Sequence, residues 1–202
     1  MSNMKQAIRI INDGGVIAYP TESFFALGAD ATNARAVKKV FRLKGRNKKP
    51  IALIAGSLAQ VEKFFFVSAV ERRLMKRYWP GAVTILLQPK KDIAADALLG
   101  TTPSRPSSGH PSSMRRGQYR IGVRVPAHAG VRHLALSFGR PITATSANLS
   151  GKRPTKLRTV VERTFRGIVT VNGACGTARK PSTILSMDNG KINILRRGAV
   201  RV

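Results

Sequence analysis

The chain has 202 residues, and its 36 lysines and arginines against 9 aspartates and glutamates give a formal net charge of +27. A field of this size attracts polyanions, so nucleic acid, nucleotide triphosphates and acidic membrane surfaces are candidate partners. The lone Cys175 excludes an internal disulfide and a cysteine-rich zinc site. The N-terminal stretch lacks a signal-peptide pattern and no run approaches the ~18 apolar residues of a membrane span, so we expect a soluble cytoplasmic protein.

Apolar periodicity and polar capping residues predict alternating helices and strands. In chain order these are helix 3–13, strand 16–19, helix 33–43, strand 51–55, helix 57–65, helix 68–78, strand 83–87, strand 121–125, helix 128–138, strand 142–145, helix 159–166 and strands 168–171, 182–186 and 192–195. Ser57 is a candidate N-cap, Ser68 and Glu71 have capping-box spacing, and Asp188-Asn189-Gly190 predicts a hairpin between the last two strands. We predict an α/β or α+β fold in a single domain over residues 1–202.

One segment, residues 100–119, differs in composition from the rest of the chain. It is rich in serine, proline, threonine and arginine and poor in apolar residues. Because such a composition buries too little apolar surface to form a packed core, we predict a flexible insertion.

The segment Pro141 to Gly151 runs from an apolar strand into small hydroxyl and amide side chains. Thr145, Ser146, Asn148 and Ser150 follow the strand residues within a few positions. In open α/β sheets small molecules bind where strands end, so this turn is a candidate polar pocket. A serine or asparagine helix cap closed by the glycine is the alternative interpretation.

Basic residues cluster between Arg35 and Lys49, a stretch with eight lysines and arginines and no acidic residue. Its predicted helix ends near Lys44 and Arg46, where a guanidinium can bind phosphate oxygens in a bidentate manner and an ammonium can add a point charge. A solvated basic helix face, favoured by the helix dipole, is the alternative.

Two further positions are candidates for ligand contacts. Thr21 follows the first strand in a turn preceded by Pro20, although an ordinary strand-ending turn would look the same. Arg124 lies inside an apolar strand, where a charge is seldom buried alone. Either a carboxylate ligand or an internal aspartate or glutamate must therefore lie beside it.

Several catalytic motifs are absent from the sequence. It has neither of the glycine-rich nucleotide motifs nor a nucleophile elbow, and His110, His128 and His133 lack metal-ligand spacing. We interpret Cys175 as a small buried residue. Cations and hydroxyls without a nucleophile suit chemistry in which placement and charge neutralisation provide the catalysis.

Seven short motifs, which follow one another along most of the chain, resemble those of the YrdC/TsaC family of threonylcarbamoyladenylate synthases. The Lys-x-Arg and Ser-x-Asn pair of that family corresponds to Lys44, Arg46, Ser146 and Asn148. The resemblance implies a single twisted mixed β-sheet flanked by helices, of the YrdC/RibB-like type, around a concave basic cleft. The matching segments are Tyr19-Pro20-Thr21-Glu22, Leu43-Lys44-Gly45-Arg46, Tyr78-Trp79-Pro80-Gly81-Ala82-Val83-Thr84, Val123-Arg124-Val125-Pro126, Thr145-Ser146-Ala147-Asn148-Leu149-Ser150-Gly151, Pro181-Ser182-Thr183-Ile184 and Leu195-Arg196-Arg197-Gly198.

The resemblance also implies a reaction. L-threonine, bicarbonate and ATP would give threonylcarbamoyl-AMP and pyrophosphate, with Mg²⁺ held mainly through the phosphates and no metal site on the protein. A threonylcarbamoyl transferase complex would receive the product to modify the adenosine beside the anticodon of tRNA. A catalytically weak module that binds tRNA, rRNA or other double-stranded RNA is the alternative, favoured by the charge and by the arginines of residues 100–119.

The resemblance assigns roles to eight side chains, and Ala26 is one of the positions at which this sequence departs from the family pattern. It implies that the ATP-binding residues are Lys44, Arg46, Ser146, Asn148 and Arg196, and that the threonine-binding residues are Thr21, Arg124 and Ser182. Ala26 stands where the family commonly has glycine, and an alanine there would be strained if the backbone adopted a positive φ.

Overall fold

A mixed β-sheet runs through the protein, with helices on both of its faces. The computed structural model describes residues 3–45, 49–100, 119–178, 180–188 and 190–202. The helices are α1 Asn3–Asn12, α2 Ala34–Lys44, α3 Leu58–Phe64, α4 Ala69–Tyr78, α5 Ala95–Leu99, α6 Ala129–Phe138 and α7 Arg158–Thr164. The strands are β1 Ile17–Tyr19, β2 Ala26–Gly28, β3 Ala52–Ile54, β4 Phe65–Phe66, β5 Val83–Pro89, β6 Ile121–Arg124, β7 Ile142–Ser146, β8 Thr183–Asp188 and β9 Lys191–Arg196.

Within these described ranges nine strands form one sheet, in the order β1-β2-β7-β3-β6-β5-β8-β9, and β4 pairs with β5 outside this path. The pairs β3/β6 and β5/β8 are parallel, and the other neighbours are antiparallel. Strands that lie far apart in sequence are therefore neighbours at the centre of the sheet. The predicted α/β fold with a single mixed sheet flanked by helices is confirmed.

The two faces of the sheet carry separate apolar clusters, because successive side chains of a strand point to opposite faces. Leu53 packs on one face with α2, α3 and α4, whereas its neighbour Ile54 packs on the other with α1 and α6. The second face is only partly covered by helices. Across the rest of it, small side chains on β2, β3 and β7 leave a concavity, namely those of Ala26, Ala52 and Ala144.

Local sequence signals account for most of the helix starts. Asn33 accepts hydrogen bonds from backbone N–H groups of α2, Ser57 caps α3, and Ser68 with Glu71 forms a complete capping box on α4. The predicted N-cap at Ser57 and the predicted capping box of Ser68 and Glu71 are confirmed, and Asn33 is a further cap. The hairpin between β8 and β9 is also confirmed by the pairing of Asp188 with Lys191.

Other predictions were wrong or incomplete. Residues 168–171 form no strand: only Thr170 bridges to Ala18 in the part of the chain described. The short elements β2, β4 and α5 were missed. β2 contains alanine and glycine, which favour strands weakly, and its pairing with β1 and β7 stabilises it instead. Of the predicted insertion at 100–119, residues 101–118 lie outside the described residues.

None of the described helices is both long enough and apolar enough to span a bilayer.

Candidate functional site

A cavity of about 350 Å³ lies on the partly covered face of the sheet. Five of the eight predicted site residues line it, although they come from segments spread over more than 170 positions of the sequence. They are Thr21, Arg124, Ser146, Ser182 and Arg196. Among the residues that the structure describes, no aspartate or glutamate lines this cavity. The cavity is therefore cationic and rich in hydroxyls.

Strand register explains why these side chains share one face. Ala144 of β7 pairs with Ala52 of β3, and Thr84 of β5 pairs with Ile184 of β8. All four line the cavity. The candidate polar pocket thus extends across the sheet, beyond the strand end at which we expected it.

The Thr21 hydroxyl shapes the turn after β1. It donates a hydrogen bond to the Phe24 carbonyl at 2.7 Å and accepts from the backbone N–H groups of Ser23 and Phe24. The residue is 3% exposed. A hydroxyl has one donor and two acceptor positions, and all three are used within the turn, so a ligand amine or hydroxyl would have to compete with a backbone N–H to donate to it.

Arg124 forms an ion pair with Glu22, whose Oε2 lies 3.0 Å from the arginine Nη1. The side chains are only 11% and 13% exposed. The other carboxylate oxygen of Glu22 accepts the backbone N–H of Ala127 at 2.5 Å. The internal carboxylate that a buried Arg124 requires is therefore Glu22, in the turn that follows β1.

Arg196 and Ser182 form a second polar group. The guanidinium donates to the Ser182 carbonyl through Nε at 3.1 Å and Nη2 at 2.8 Å, and the Ser182 hydroxyl lies 2.8 Å from that of Thr84. Burial, followed by the nearby positive charge of Arg124, lowers the pKa of Arg196. Because Arg124 and Arg196 line the same cavity, an anion bound between or beside them is favoured.

Lys44 lies behind the turn that follows β7. Its side chain is buried, and its ammonium donates to the carbonyls of Ser146 at 2.5 Å and Asn148 at 2.8 Å and more weakly to the Asn148 amide oxygen at 3.4 Å. The Lys44 carbonyl accepts the backbone N–H of Ser150. Lys44 thus supports the turn behind Ser146 from outside the cavity, and neither Lys44 nor Asn148 is among the residues that line it.

The remaining predictions for the site concern two positions. Arg46 lies outside the described residues. Ala26 lies within β2, paired with Tyr19 and Ser146, so its backbone is extended and the conditional strain argument does not apply. Its methyl group lines the floor of the cavity.

Sequence reasoning missed the contributions of Glu22 and Thr84. Both lie within segments that carry the family resemblance. The sequence does not pair Glu22 with Arg124, because 102 residues separate them along the chain.

The other features of the described residues that could form a site are less suited to binding or catalysis. A larger cavity of about 700 Å³ lies beside Phe66, Lys90 and Tyr119 and contains none of the predicted residues. No group of three or more His, Cys, Asp or Glu side chains able to bind a metal occurs in the described part of the chain. Burial raises the pKa of the half-buried Cys175 thiol, which disfavours the nucleophilic thiolate.

Gly198 sets the position of Ser182, and replacing it tests that contact. A Cβ at Gly198 would overlap the backbone of Pro181, Ser182 and Thr183. We expect Gly198→Ala to displace this strand, to lower the free energy of unfolding by about 1–3 kcal/mol and to weaken ligand binding at Ser182. Thermal and denaturant unfolding measure the first effect and calorimetry the second. Gly130→Ala, in α6 beside the side chain of His128, is the matched control and should be neutral or slightly stabilising.

Fold and cavity together define an α/β protein with a cationic, hydroxyl-lined cavity on the open face of a mixed sheet. A family model, Sua5_yciO_yrdC, described as "Telomere recombination", matches residues 9–198. The chain belongs to this family, and the predicted family resemblance is confirmed.

Curated relatives and solved structures agree with this membership. The chain is 32% identical to a threonylcarbamoyl-AMP synthase of Chromobacterium violaceum over 93% of its own length and 90% of the relative. It is 37% identical to one of Thiobacillus denitrificans over 89% and 88%. In the crystal structure of P. abyssi Sua5 complexed with L-threonine, the matching part of the chain is 28% identical in sequence to this protein. It superposes on 96% of this chain with a TM-score of 0.80. E. coli YciO is 26% identical, with a TM-score of 0.76, over 96% of this chain and 88% of that one. The chain spans about half the length of P. abyssi Sua5, 54% of it.

Proposed function

We propose that this protein forms threonylcarbamoyl-AMP and pyrophosphate from L-threonine, bicarbonate and ATP. The predicted enzyme class is confirmed by relatives named threonylcarbamoyl-AMP synthase that match this chain over about nine-tenths of its length. The single observation that supports the assignment of these substrates is that five predicted site residues line one cationic cavity. They are Thr21, Arg124, Ser146, Ser182 and Arg196.

The cavity has the chemistry that two anionic substrates require. We assign the amino acid to Thr21, Arg124 and Ser182, with its carboxylate at the arginine. We assign the nucleotide to Ser146, Asn148, Arg196, Lys44 and Arg46. Arg124 and Arg196 line the same cavity, which supports a site in which carboxylate and phosphate lie side by side.

The proposed reaction needs no nucleophile from the protein. The threonine amine takes up bicarbonate, losing water, and becomes a carbamate. A carbamate oxygen then attacks the α-phosphorus of ATP, and the bond to the β-phosphate breaks to release pyrophosphate. The arginines neutralise the phosphate charge and hold the reacting oxygen and phosphorus close together.

A divalent ion fits this site only if the phosphate oxygens of the bound nucleotide coordinate it. Mg²⁺ would arrive bound to the phosphate oxygens and reduce their charge. The cavity lining offers hydroxyls and cations, and Glu22 is already engaged by Arg124 and Ala127, so we propose no carboxylate ligand for the ion from the described residues.

The direct test is threonine-dependent release of pyrophosphate. The purified protein is incubated with ATP, bicarbonate and L-threonine, and pyrophosphate is measured with and without the amino acid. We expect release only when threonine is present, together with an adenylate product of the corresponding mass. Equal release without threonine, or none at all, contradicts the proposal.

The phosphate assignment has its own test in Arg46→Ala. We expect ATP use to fall by about 30-fold or more, since a bidentate charged contact to phosphate is lost, with little change in the free energy of unfolding. ATP titration by calorimetry and a thermal melt measure the two effects. Lys49→Ala is the matched control for loss of one positive charge from the same stretch. If ATP affinity survives in Arg46→Ala, the phosphates are bound elsewhere.

We further propose that the product serves threonylcarbamoylation of the tRNA adenosine beside the anticodon, through a threonylcarbamoyl transferase complex, and that the enzyme acts in the cytoplasm. The net charge of +27 also favours direct contact with RNA. Titrating tRNA at several salt concentrations tests this contact. A steep fall in affinity with salt is expected, and the same RNA binding in a variant without synthase activity would separate the two roles.

A further inference from the structure

We propose that Glu22 is a positioning residue that fixes the guanidinium of Arg124 for the carboxylate of the amino-acid substrate. This inference rests on the proposed function and deepens it. Glu22 is an acidic residue beside a cavity meant for anions, which would normally weaken binding. Its placement therefore needs a reason other than direct contact with the substrate.

The contacts of the carboxylate supply that reason. One oxygen of Glu22 accepts from Nη1 of Arg124, and the other accepts the backbone N–H of Ala127, at the start of the loop that leads to α6. The carboxylate thus joins the turn after β1 to the end of β6. Because a guanidinium is planar and rigid, fixing one of its nitrogens at 3.0 Å restricts the direction in which the others point.

Burial distinguishes this pair from the ion pairs on the surface. Glu22 and Arg124 are 13% and 11% exposed, whereas the side chains of Arg158 and Glu162 are more than 40% exposed. A buried pair contributes little net stability but holds one geometry. A substrate carboxylate that meets a preorganised guanidinium loses less free energy to side-chain ordering.

Because Arg196 adds a second positive charge to the cavity, Arg124 needs Glu22 to hold it in place. Arg196 and Arg124 line the same cavity, so their positive charges interact there. Without a nearby negative charge, two arginines in an empty cavity repel each other, and Arg124 gains conformations that face away from the substrate. Glu22 keeps Arg124 in place before the substrate arrives.

The test compares two ligands that differ only at the carboxylate. L-threonine and L-threoninol, in which a hydroxymethyl group replaces the carboxylate, are titrated by calorimetry into the wild-type protein and into Glu22→Gln, each saturated with ATP and without bicarbonate. We expect Glu22→Gln to weaken threonine binding by about tenfold or more, with threoninol binding changed by less than about twofold. The ratio of the two affinities is insensitive to a general loss of folding.

Two controls keep the inference falsifiable. Glu62→Gln removes the carboxylate of the half-exposed pair with Arg72 and should leave the ratio unchanged. Glu22→Asp keeps the charge and should restore part of the threonine preference, and it replaces Glu22→Gln if that variant does not fold. Equal weakening of both ligands, or no change in the ratio, overturns the inference. A wild-type protein that prefers threonine but releases no pyrophosphate overturns the proposed function alone.

Discussion

Replacing Arg124 by glutamine should nearly abolish the use of threonine and destabilise the protein at the same time. The first effect follows because the substrate carboxylate loses its cation, and removing one partner of a buried charge pair weakens binding by about 2–5 kcal/mol. We therefore expect kcat/KM for threonine to fall by at least about 30-fold. Pyrophosphate release at varied threonine concentrations measures this effect.

The loss of stability in Arg124→Gln has a separate cause. Glu22 would remain in a largely buried position without its ion-pair partner, and such an orphaned charge costs about 3–5 kcal/mol. Denaturant unfolding measures this cost. The double variant Arg124→Gln with Glu22→Gln should regain part of the stability, since the unpaired carboxylate is gone, without regaining threonine use.

The control for Arg124 is the exposed pair of Arg72 and Glu62. Their side chains are 49% and 32% exposed, so Arg72→Gln should change the free energy of unfolding by less than about 1 kcal/mol. If Arg124→Gln behaves like Arg72→Gln in both assays, the arginine neither binds the carboxylate nor compensates Glu22.

Replacing Lys44 by methionine should disrupt the cavity wall. The Lys44 ammonium donates hydrogen bonds to the backbone carbonyls of Ser146 and Asn148 and to the amide oxygen of Asn148, and methionine cannot replace these bonds. The Ser146 carbonyl would keep the backbone N–H of Asn148 as a donor, whereas the Asn148 carbonyl would lose the ammonium, and a buried carbonyl left without its donor costs about 1–3 kcal/mol. We expect the free energy of unfolding to fall by about 1–3 kcal/mol and synthase activity to be lost.

This variant separates two roles for Lys44. If the ammonium acts only as a phosphate ligand, Lys44→Met reduces ATP affinity and leaves stability unchanged. If it holds the turn, stability falls and binding of both substrates weakens, since Ser146 lines the cavity. Lys38→Met, on an exposed position of the same helix, removes the same charge and should alter stability by less than about 0.5 kcal/mol. Unfolding curves and ATP titrations of the two variants distinguish the roles.

Each of these expected results depends on a contact between residues that lie far apart in the sequence. Glu22 and Arg124 are 102 positions apart, and the same separation divides Lys44 from Ser146. The sequence indicated that Arg124 needs a carboxylate and that Lys44 stands at the end of a helix. It did not indicate the partner of either residue, because a partner is set by which strands are neighbours in the sheet.

What the sequence determined by itself was local: the helices that follow Asn33, Ser57 and Ser68, most of the strands, and the ordered motifs that identify the family. Caps and apolar periodicity act within one or two turns of the chain, so they can be interpreted without the fold. Only the tertiary structure decided that Ala26 lies in a strand, that residues 168–171 do not form one, and that the cavity extends over an open sheet face. Strand pairing settles these features, and pairing depends on residues that the chain brings together only when it folds.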